Sequence, residues 1–175
     1  MRNIGIFIGR FQPLHNGHIN IIKQALVENE FVIVIIGSKN KNDERNPFSY
    51  ETRRDFIMSS ITDQKLVIDG LDDFGDFKRW CDELNKIIVK NIFFDIDLCK
   101  FRLYGPKKDE STQKYIDYVM ENSIIQEYVN SEIYTHNDQT LDATLIRKYI
   151  QEKNYENCKD LVPKEVINII LNKNI

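Results

Sequence analysis

The sequence predicts an α/β fold in which an open, parallel β-sheet carries helices on both faces. Ile4-Gly5-Ile6-Phe7-Ile8 and Phe31-Val32-Ile33-Val34-Ile35-Ile36 have no polar side chains, as expected of parallel strands covered on both sides. Between them Ile19, Ile22 and Leu26 recur at helical spacing, so the chain reads strand, helix, strand and closes as a right-handed βαβ unit. Glycines follow these strands at Gly9 and Gly37, and another stands at the end of a later strand, Gly105. Ligands of such sheets lie at the carboxyl ends of the strands, so these turns are expected to face one crevice.

The remaining elements follow in order. Pro13 fixes a bend before the first helix and leaves His18 near its N-terminus. After the second strand, the polar loop Asn40 to Arg45 leads to Asn46-Pro47-Phe48-Ser49, where Pro47 stops any preceding helix and Ser49 can cap one over residues 50–60. Lys65 to Ile68 is a short third strand. The acidic turn Asp69-Gly70-Leu71-Asp72-Asp73-Phe74-Gly75-Asp76 then precedes a helix that carries Trp80 and buries Leu84, Ile87 and Ile88. Ile92-Phe93-Phe94 and Phe101-Arg102-Leu103-Tyr104 bracket the fourth strand, which ends at Gly105-Pro106-Lys107-Lys108-Asp109-Glu110-Ser111. A helix over 111–122 and a final strand within Ile124 to Tyr134 come next. Asp142 can cap a helix that runs through Arg147, and the chain closes on Asp160-Leu161-Val162-Pro163 and a helix striped by Val166, Ile169 and Ile170.

Length and composition narrow the classes of partner. A chain of 175 residues with 42% hydrophobic content suits one α/β core and is short for two. One domain over 1–175 is expected, its C-terminal helical part at residues 142–175. No opening run resembles a signal peptide and no apolar stretch approaches the roughly 20 residues that cross a bilayer, so no membrane partner is expected. Cys81, Cys99 and Cys158 are odd in number and form no CxxC pair, which argues against a disulfide framework or zinc ribbon and for a reducing, cytoplasmic setting. The formal net charge of −3 would repel a nucleic-acid backbone, so no nucleic-acid partner is expected. A small polyphosphate would instead need a few placed cations, and the sequence offers Arg10, Lys39, Arg45, Arg53, Lys107, Lys108 and Arg147.

The most informative stretch is Gly9-Arg10-Phe11-Gln12-Pro13-Leu14-His15-Asn16-Gly17-His18. A glycine that admits a ligand close to the backbone, followed by a helix N-terminus, reads as a phosphate-handling turn. His15 and His18 taken alone also fit a polar helix start, or part of a zinc site, although metal-binding helices prefer partners at i and i+4 plus a third ligand. His136 stands alone in a polar segment and reads as a solvated loop residue. Arg53, in the first turn of its helix, opposes the helix dipole unless a phosphate lies nearby; an exposed side chain is the alternative. Trp80 fits either the core or a flat ligand, and Lys107 and Lys108 fit either a phosphate or a solvated pair.

Position for position, Gly9 to His18 resembles the GRFQPxHxGH signature of the nucleotidyltransferase superfamily, in the branch of the nicotinamide mononucleotide (NMN) adenylyltransferases of archaeal type. Leu141-Asp142-Ala143-Thr144-Leu145-Ile146-Arg147 resembles the second signature, ISxTxIR; Thr144 and Arg147 match, while Asp142 stands where serine is usual. The Asn46-Pro47-Phe48 stretch with Arg53 after it, the acidic turn before Trp80, the Gly105 to Ser111 string and the Leu161-Val162-Pro163 ending resemble the same family, so the likeness covers nearly the whole chain. It implies a Rossmann-like nucleotidyltransferase fold and transfer of AMP from ATP to NMN, giving NAD and pyrophosphate, with Mg²⁺ riding on the ATP oxygens. Members commonly assemble, so a homo-oligomer is expected. Some bacterial relatives add a Nudix hydrolase domain; no Nudix box precedes Ile175, and that activity is not expected.

The resemblance also implies roles. His15, His18, Arg147 and Thr144 would serve the reacting phosphates. Gly9, Arg10, Phe11, Gln12, Arg53, Gly105, Lys107 and Lys108 would contact ATP. Gly37, Ser38, Asn46, Asp73 and Trp80 would hold NMN, the indole stacking on the cationic nicotinamide ring. The NMN phosphate is already an anion and pyrophosphate a competent leaving group, so such a reaction needs positioning and charge stabilisation rather than a general base. Two rivals stand beside this reading: another HxGH nucleotidyltransferase, such as a cytidylyltransferase, and a non-catalytic sensor that binds NAD or ATP, which Asp142 keeps open.

Overall fold

The computed structural model describes residues 1–106, 109–137 and 139–173. In chain order the elements are β1 (Arg2–Gly9), α1 (Asn16–Glu28), β2 (Phe31–Ile36), α2 (Tyr50–Ser60), β3 (Leu66–Gly70), α3 (Phe77–Lys90), β4 (Cys99–Gly105), α4 (Glu110–Asn122), β5 (Glu127–Asn130), β6 (Thr135–His136), β7 (Gln139–Thr140), α5 (Ala143–Gln151) and α6 (Lys164–Lys173). β1 to β5 form one sheet in the order β3-β2-β1-β4-β5. Every neighbouring pair in it is parallel, while β6 and β7 make a small antiparallel hairpin.

Strand alternation divides the core into two layers. Phe7, Val32, Val34, Ile36 and Tyr104 face α1, α2, α5 and α6, where Ile22, Phe56, Ile146 and Ile170 pack against them. Ile4, Ile6, Ile33, Ile35, Phe101 and Leu103 face α3 and α4 through Trp80, Leu84, Ile88 and Val119. Period-two burial on both faces is what uniformly apolar strands require, and it is why β1 and β2 carry no polar alternation. The C-terminal residues Cys158, Leu161, Val162 and Val166 belong to the same apolar cluster as Phe7 and Phe11. Among the described residues, no helix is long and apolar enough to cross a membrane.

Capping residues set the helix limits. Ser49 accepts from Thr52 N at 3.2 Å, and α2 spans residues 50–60 as its sequence implied. Asp142 accepts from Thr144 N at 2.8 Å, so the carboxylate at the serine position works as an N-cap.

The last strand of the sheet, Glu127–Asn130, lies within the expected 124–134; Ile124 N is drawn to Asn85 Oδ1 at 2.9 Å and Ile125 N to Ser123 Oγ at 3.3 Å before it begins. Two expectations need correction. Ile92-Phe93-Phe94 is not strand: Asp95 turns the chain by accepting from Asp97 N at 3.1 Å, a 3₁₀ turn spans Ile96–Leu98, and Phe93 is 82% exposed. Only the second of the two aromatic runs forms β4. His136 lies in β6, half-buried, rather than in a solvated loop.

Asp109, the N-cap of α4, accepts from Thr112 N at 2.7 Å and from the Ser111 and Thr112 hydroxyls at 2.8 Å. These bonds, the Thr112 amide first, hold its carboxyl at about 2. A depressed carboxyl stabilises the fold above its unfolded value of about 3.9 and loses that contribution as pH falls through the folded one. Asp109→Ala should therefore lower Tm at neutral pH, and the gap to the wild type should narrow as pH falls from about 4 towards about 2. Thermal melts across that range check it; a gap independent of pH contradicts the assignment.

Candidate active site

The strand order places β2 and β3 on one side of β1 and β4 and β5 on the other, so the chain reverses direction between β1 and β4. A crevice outside the carboxyl ends is expected at such a switch point. A cleft of about 790 Å³ lies there, within the size of small-molecule sites. Gly9 and Arg10 from the end of β1, Gly37 and Ser38 after β2 and Pro106 after β4 line it, so the glycine turns do share one crevice.

His15 and His18 stand on the cleft wall at the start of α1. They cap that helix reciprocally. His15 Nδ1 accepts from His18 N at 3.4 Å, and His18 Nδ1 accepts from His15 N at 3.3 Å. Their rings stack at 3.6 Å between centroids. With both Nδ1 atoms accepting, the neutral rings carry their proton on Nε2, the donor edge suited to phosphate oxygens at a helix N-terminus. Gly17 makes the arrangement possible: a Cβ there would lie 3.1 Å from the His15 ring and 3.3 Å from Tyr134 Cβ. Among the described residues no group of three or more His, Cys, Asp or Glu converges in a metal-binding cluster.

Several residues assigned to ATP by resemblance are struts behind this turn. Phe11 is fully buried at φ 52° and packs on Phe7 at 5.6 Å and on His18 at 4.8 Å. Gln12 is 2% exposed; its amide donates to Phe48 O at 3.0 Å and accepts from Phe48 N at 2.9 Å, tying the turn to the loop before α2. Arg53 is fully buried, not exposed and not on the cleft wall. Its guanidinium donates to Gly37 O at 2.7 Å, Arg10 O at 3.0 Å, Ser38 O at 3.1 Å and Ser49 O at 3.3 Å. The Gly105 carbonyl accepts from Tyr128 Oη at 2.6 Å and from Ser131 N at 2.9 Å, and it is Pro106 that reaches the cleft. Lys107 and Lys108 lie outside the described residues.

Arg147 sits beside the cleft rather than in its wall, facing a smaller cavity of about 440 Å³ with Pro47 and Phe48. It donates to Gln12 O at 2.8 Å and to Thr144 Oγ1 at 3.2 Å. Burial, then the like charge of Arg10, lowers its pKa, with Asp142 opposing and Arg45 adding. Arg10, Arg45 and Arg147 therefore share one cationic field, which a polyphosphate would neutralise. Sequence reading counted Arg45 among the basic residues without assigning it a role.

The opposite wall of the cleft is aromatic. Trp80, 9% exposed, packs into the core and also lines the cleft. Phe77 lies 5.3 Å from it and Tyr115 5.9 Å. Both also line the cleft, and burial pushes the Tyr115 hydroxyl above its usual value. Neither was singled out from sequence, although Phe77 and Trp80 sit three apart on α3 and share a face. Asp73 is on the wall, its backbone paired with the Asn40 amide at 2.9 and 3.0 Å. Asn46 is buried away from the cleft: its Nδ2 donates to Asp43 Oδ1 at 2.9 Å, and its Oδ1 has no partner among the described residues.

A doubly wound sheet with a histidine-capped phosphate turn and an aromatic pocket at its switch point defines a nucleotide-handling domain. Residues 6–168 match the cytidylyltransferase-like family, and the chain belongs to that family. The nicotinamide-nucleotide adenylyltransferase of Thermococcus sibiricus is 29% identical over 173 residues, 95% of this chain and 82% of that one. The protein of the same name from Sulfurisphaera tokodaii is 29% identical over 176 residues, 94% and 88% of the two chains. The crystal structure of a bifunctional NMN adenylyltransferase/ADP ribose pyrophosphatase from Francisella tularensis superposes with a TM-score of 0.70 at 25% identity, over 99% of this chain and 54% of that one. This chain thus spans about half the length of that bifunctional enzyme.

A Cβ at Gly9 would lie 2.9 Å from Phe11 Cζ. Gly9→Ala should therefore displace the Phe11 ring against His18, at a cost of about 1–3 kcal/mol. The expected result is a lower Tm with shifted His18 ring resonances by NMR. Unchanged resonances would mean that Phe11 does not set the histidine's position.

Proposed function

We propose that the chain transfers the AMP unit of ATP to NMN, giving NAD and pyrophosphate. The observation that carries this reading is a cleft with two chemically distinct walls. His15 and His18 line it from α1, on one face of the sheet, and Trp80 with Phe77 and Tyr115 from α3 and α4, on the other. A phosphate-bearing nucleotide with a flat cationic ring needs both. Relatives of nearly the same length carry this activity in their names, which supports it further.

In the reaction a phosphate oxygen of NMN forms a bond to the α-phosphorus of ATP, and the bond from that phosphorus to the bridging oxygen of pyrophosphate breaks. No proton has to leave the nucleophile. The protein's work is to hold the reacting groups in line and to place donors where charge accumulates. His15 and His18, on the cleft wall at the start of α1, serve the α-phosphate and the departing oxygen. Thr144, Arg147, Arg10 and Arg45 meet the β- and γ-phosphates. Gly37, Ser38 and Asp73 border the NMN moiety, and the electron-rich face of Trp80 suits its cationic ring. Carried on the ATP oxygens, Mg²⁺ would supply charge neutralisation there, in keeping with its habit of retaining water and phosphate ligands. Asp142 is engaged as the cap of α5 through Thr144 N, which weakens the sensor reading.

A coupled assay with ATP, Mg²⁺ and NMN should give NAD. Losing one preorganised donor costs about 10²–10³ in rate, so His18→Ala should reduce kcat by that factor while unfolding stays cooperative. Trp80→Leu keeps a smaller apolar side chain and removes the ring, so KM for NMN should rise about 2–30-fold with KM for ATP little changed in a variant that still unfolds cooperatively. Binding of ATP or NAD without turnover would reject the transferase reading in favour of a sensor.

A further inference from the structure

Arg53 raises a physical problem. A fully buried guanidinium is costly unless paired, and among the described residues it has no carboxylate in ion-pair contact, only carbonyls. Three of those carbonyls belong to the two turns that border the cleft: Arg10 after β1, and Gly37 and Ser38 after β2. In a trans peptide the N–H points opposite to the C=O. With the Arg10 and Gly37 carbonyls drawn onto the guanidinium, the Phe11 and Ser38 amides are turned away from it. Both residues have positive φ, 52° and 48°, a conformation that side chains other than glycine adopt only when surroundings impose it. The third amide, Lys39 N, is used by Leu71 O at 3.0 Å.

We propose that Arg53 is a positioning residue for the transfer reaction: from behind, it locks the ATP-side and NMN-side turns into one unit, fixing the Arg10–Phe11 peptide under the cleft wall and turning the Ser38 amide toward the substrate phosphates. The guanidinium itself touches no phosphate. A buried cation at the carbonyl ends of two peptides also strengthens their positive ends, which explains why an arginine rather than an apolar side chain fills this space. The inference rests on the ATP and NMN assignments above and departs from the direct triphosphate contact that the resemblance implied.

Two measurements on the full chain decide it. The first is kinetic, on Arg53→Gln and Arg53→Lys variants shown to unfold cooperatively. Because one strut serves both turns, kcat/KM for ATP and for NMN should each fall about a hundredfold in Arg53→Gln. Arg53→Lys, which can still reach one or two carbonyls, should recover part of both. A loss confined to ATP would mean direct phosphate contact and overturn the proposal, as would unchanged kinetics in a folded variant. The second needs no variant: in ¹⁵N-labelled wild type, α,β-methylene-ATP should shift the Phe11 amide and NMN the Ser38 amide, with no coupling between a guanidinium nitrogen of Arg53 and ligand phosphorus. Such a coupling, or silent amides, would overturn the proposal even if every variant failed to fold. A wild type that binds both nucleotides without making NAD would sink the transfer reading while leaving the amide result to judge Arg53.

Discussion

The working edge of this molecule depends on backbone carbonyls held by two arginines. Arg53 gathers those of Arg10, Gly37 and Ser38, and Arg147 holds that of Gln12. Peptides at strand ends have no ladder partner to fix them, and left to water they would sample several orientations. Tied to the buried Arg53 and the half-buried Arg147, they become a rigid floor. The Gln12 amide adds a third tie by pairing with both backbone groups of Phe48. The parallel sheet supplies the place, but these side chains give the turns their shape.

The charge distribution follows a similar economy. A chain of net charge −3 has no global attraction for anions, so any affinity for a polyphosphate must be local. Arg10, Arg45 and Arg147 provide a shared field at one side of the histidine turn, and the amide end of α1 provides directional donors. Because each histidine's Nδ1 is taken by the other's backbone N–H, the cap that starts the helix also orients the rings. Under the proposed function, folding and ligand recognition thus draw on the same two bonds.

The sheet was legible because parallel strands must be apolar on both faces, and Ile4 to Ile8 and Phe31 to Ile36 have no other stable setting. The limits of α2 were legible through Ser49 and Pro47, and the cap of α5 through Asp142. Legibility failed where composition and local geometry disagree. Ile92-Phe93-Phe94 has strand composition, but the Asp95 turn pre-empts it. The histidine turn was found because its spacing is specific. Arg53 was only partly legible: a cation at a helix start suggested an exposed or phosphate-bound group, and nothing local reveals that it is buried with three carbonyls from distant turns converging on it. Phe77, three residues before Trp80 on the same helix, was within reach of the spacing, whereas the approach of Tyr115 to Trp80 depends on α3 and α4 packing side by side, a long-range contact that spacing along either helix cannot report.

Under the proposed function, this site positions an anionic nucleophile for direct transfer, without a covalent enzyme intermediate. The most direct measurement is the stereochemical course at the α-phosphorus, with ATP chiral at that centre through a sulfur substitution and NMN as acceptor. A single in-line displacement predicts inversion of configuration in the NAD analogue formed. Retention would reveal two successive displacements through an enzyme-bound nucleotide, and would contradict a site built from donors alone.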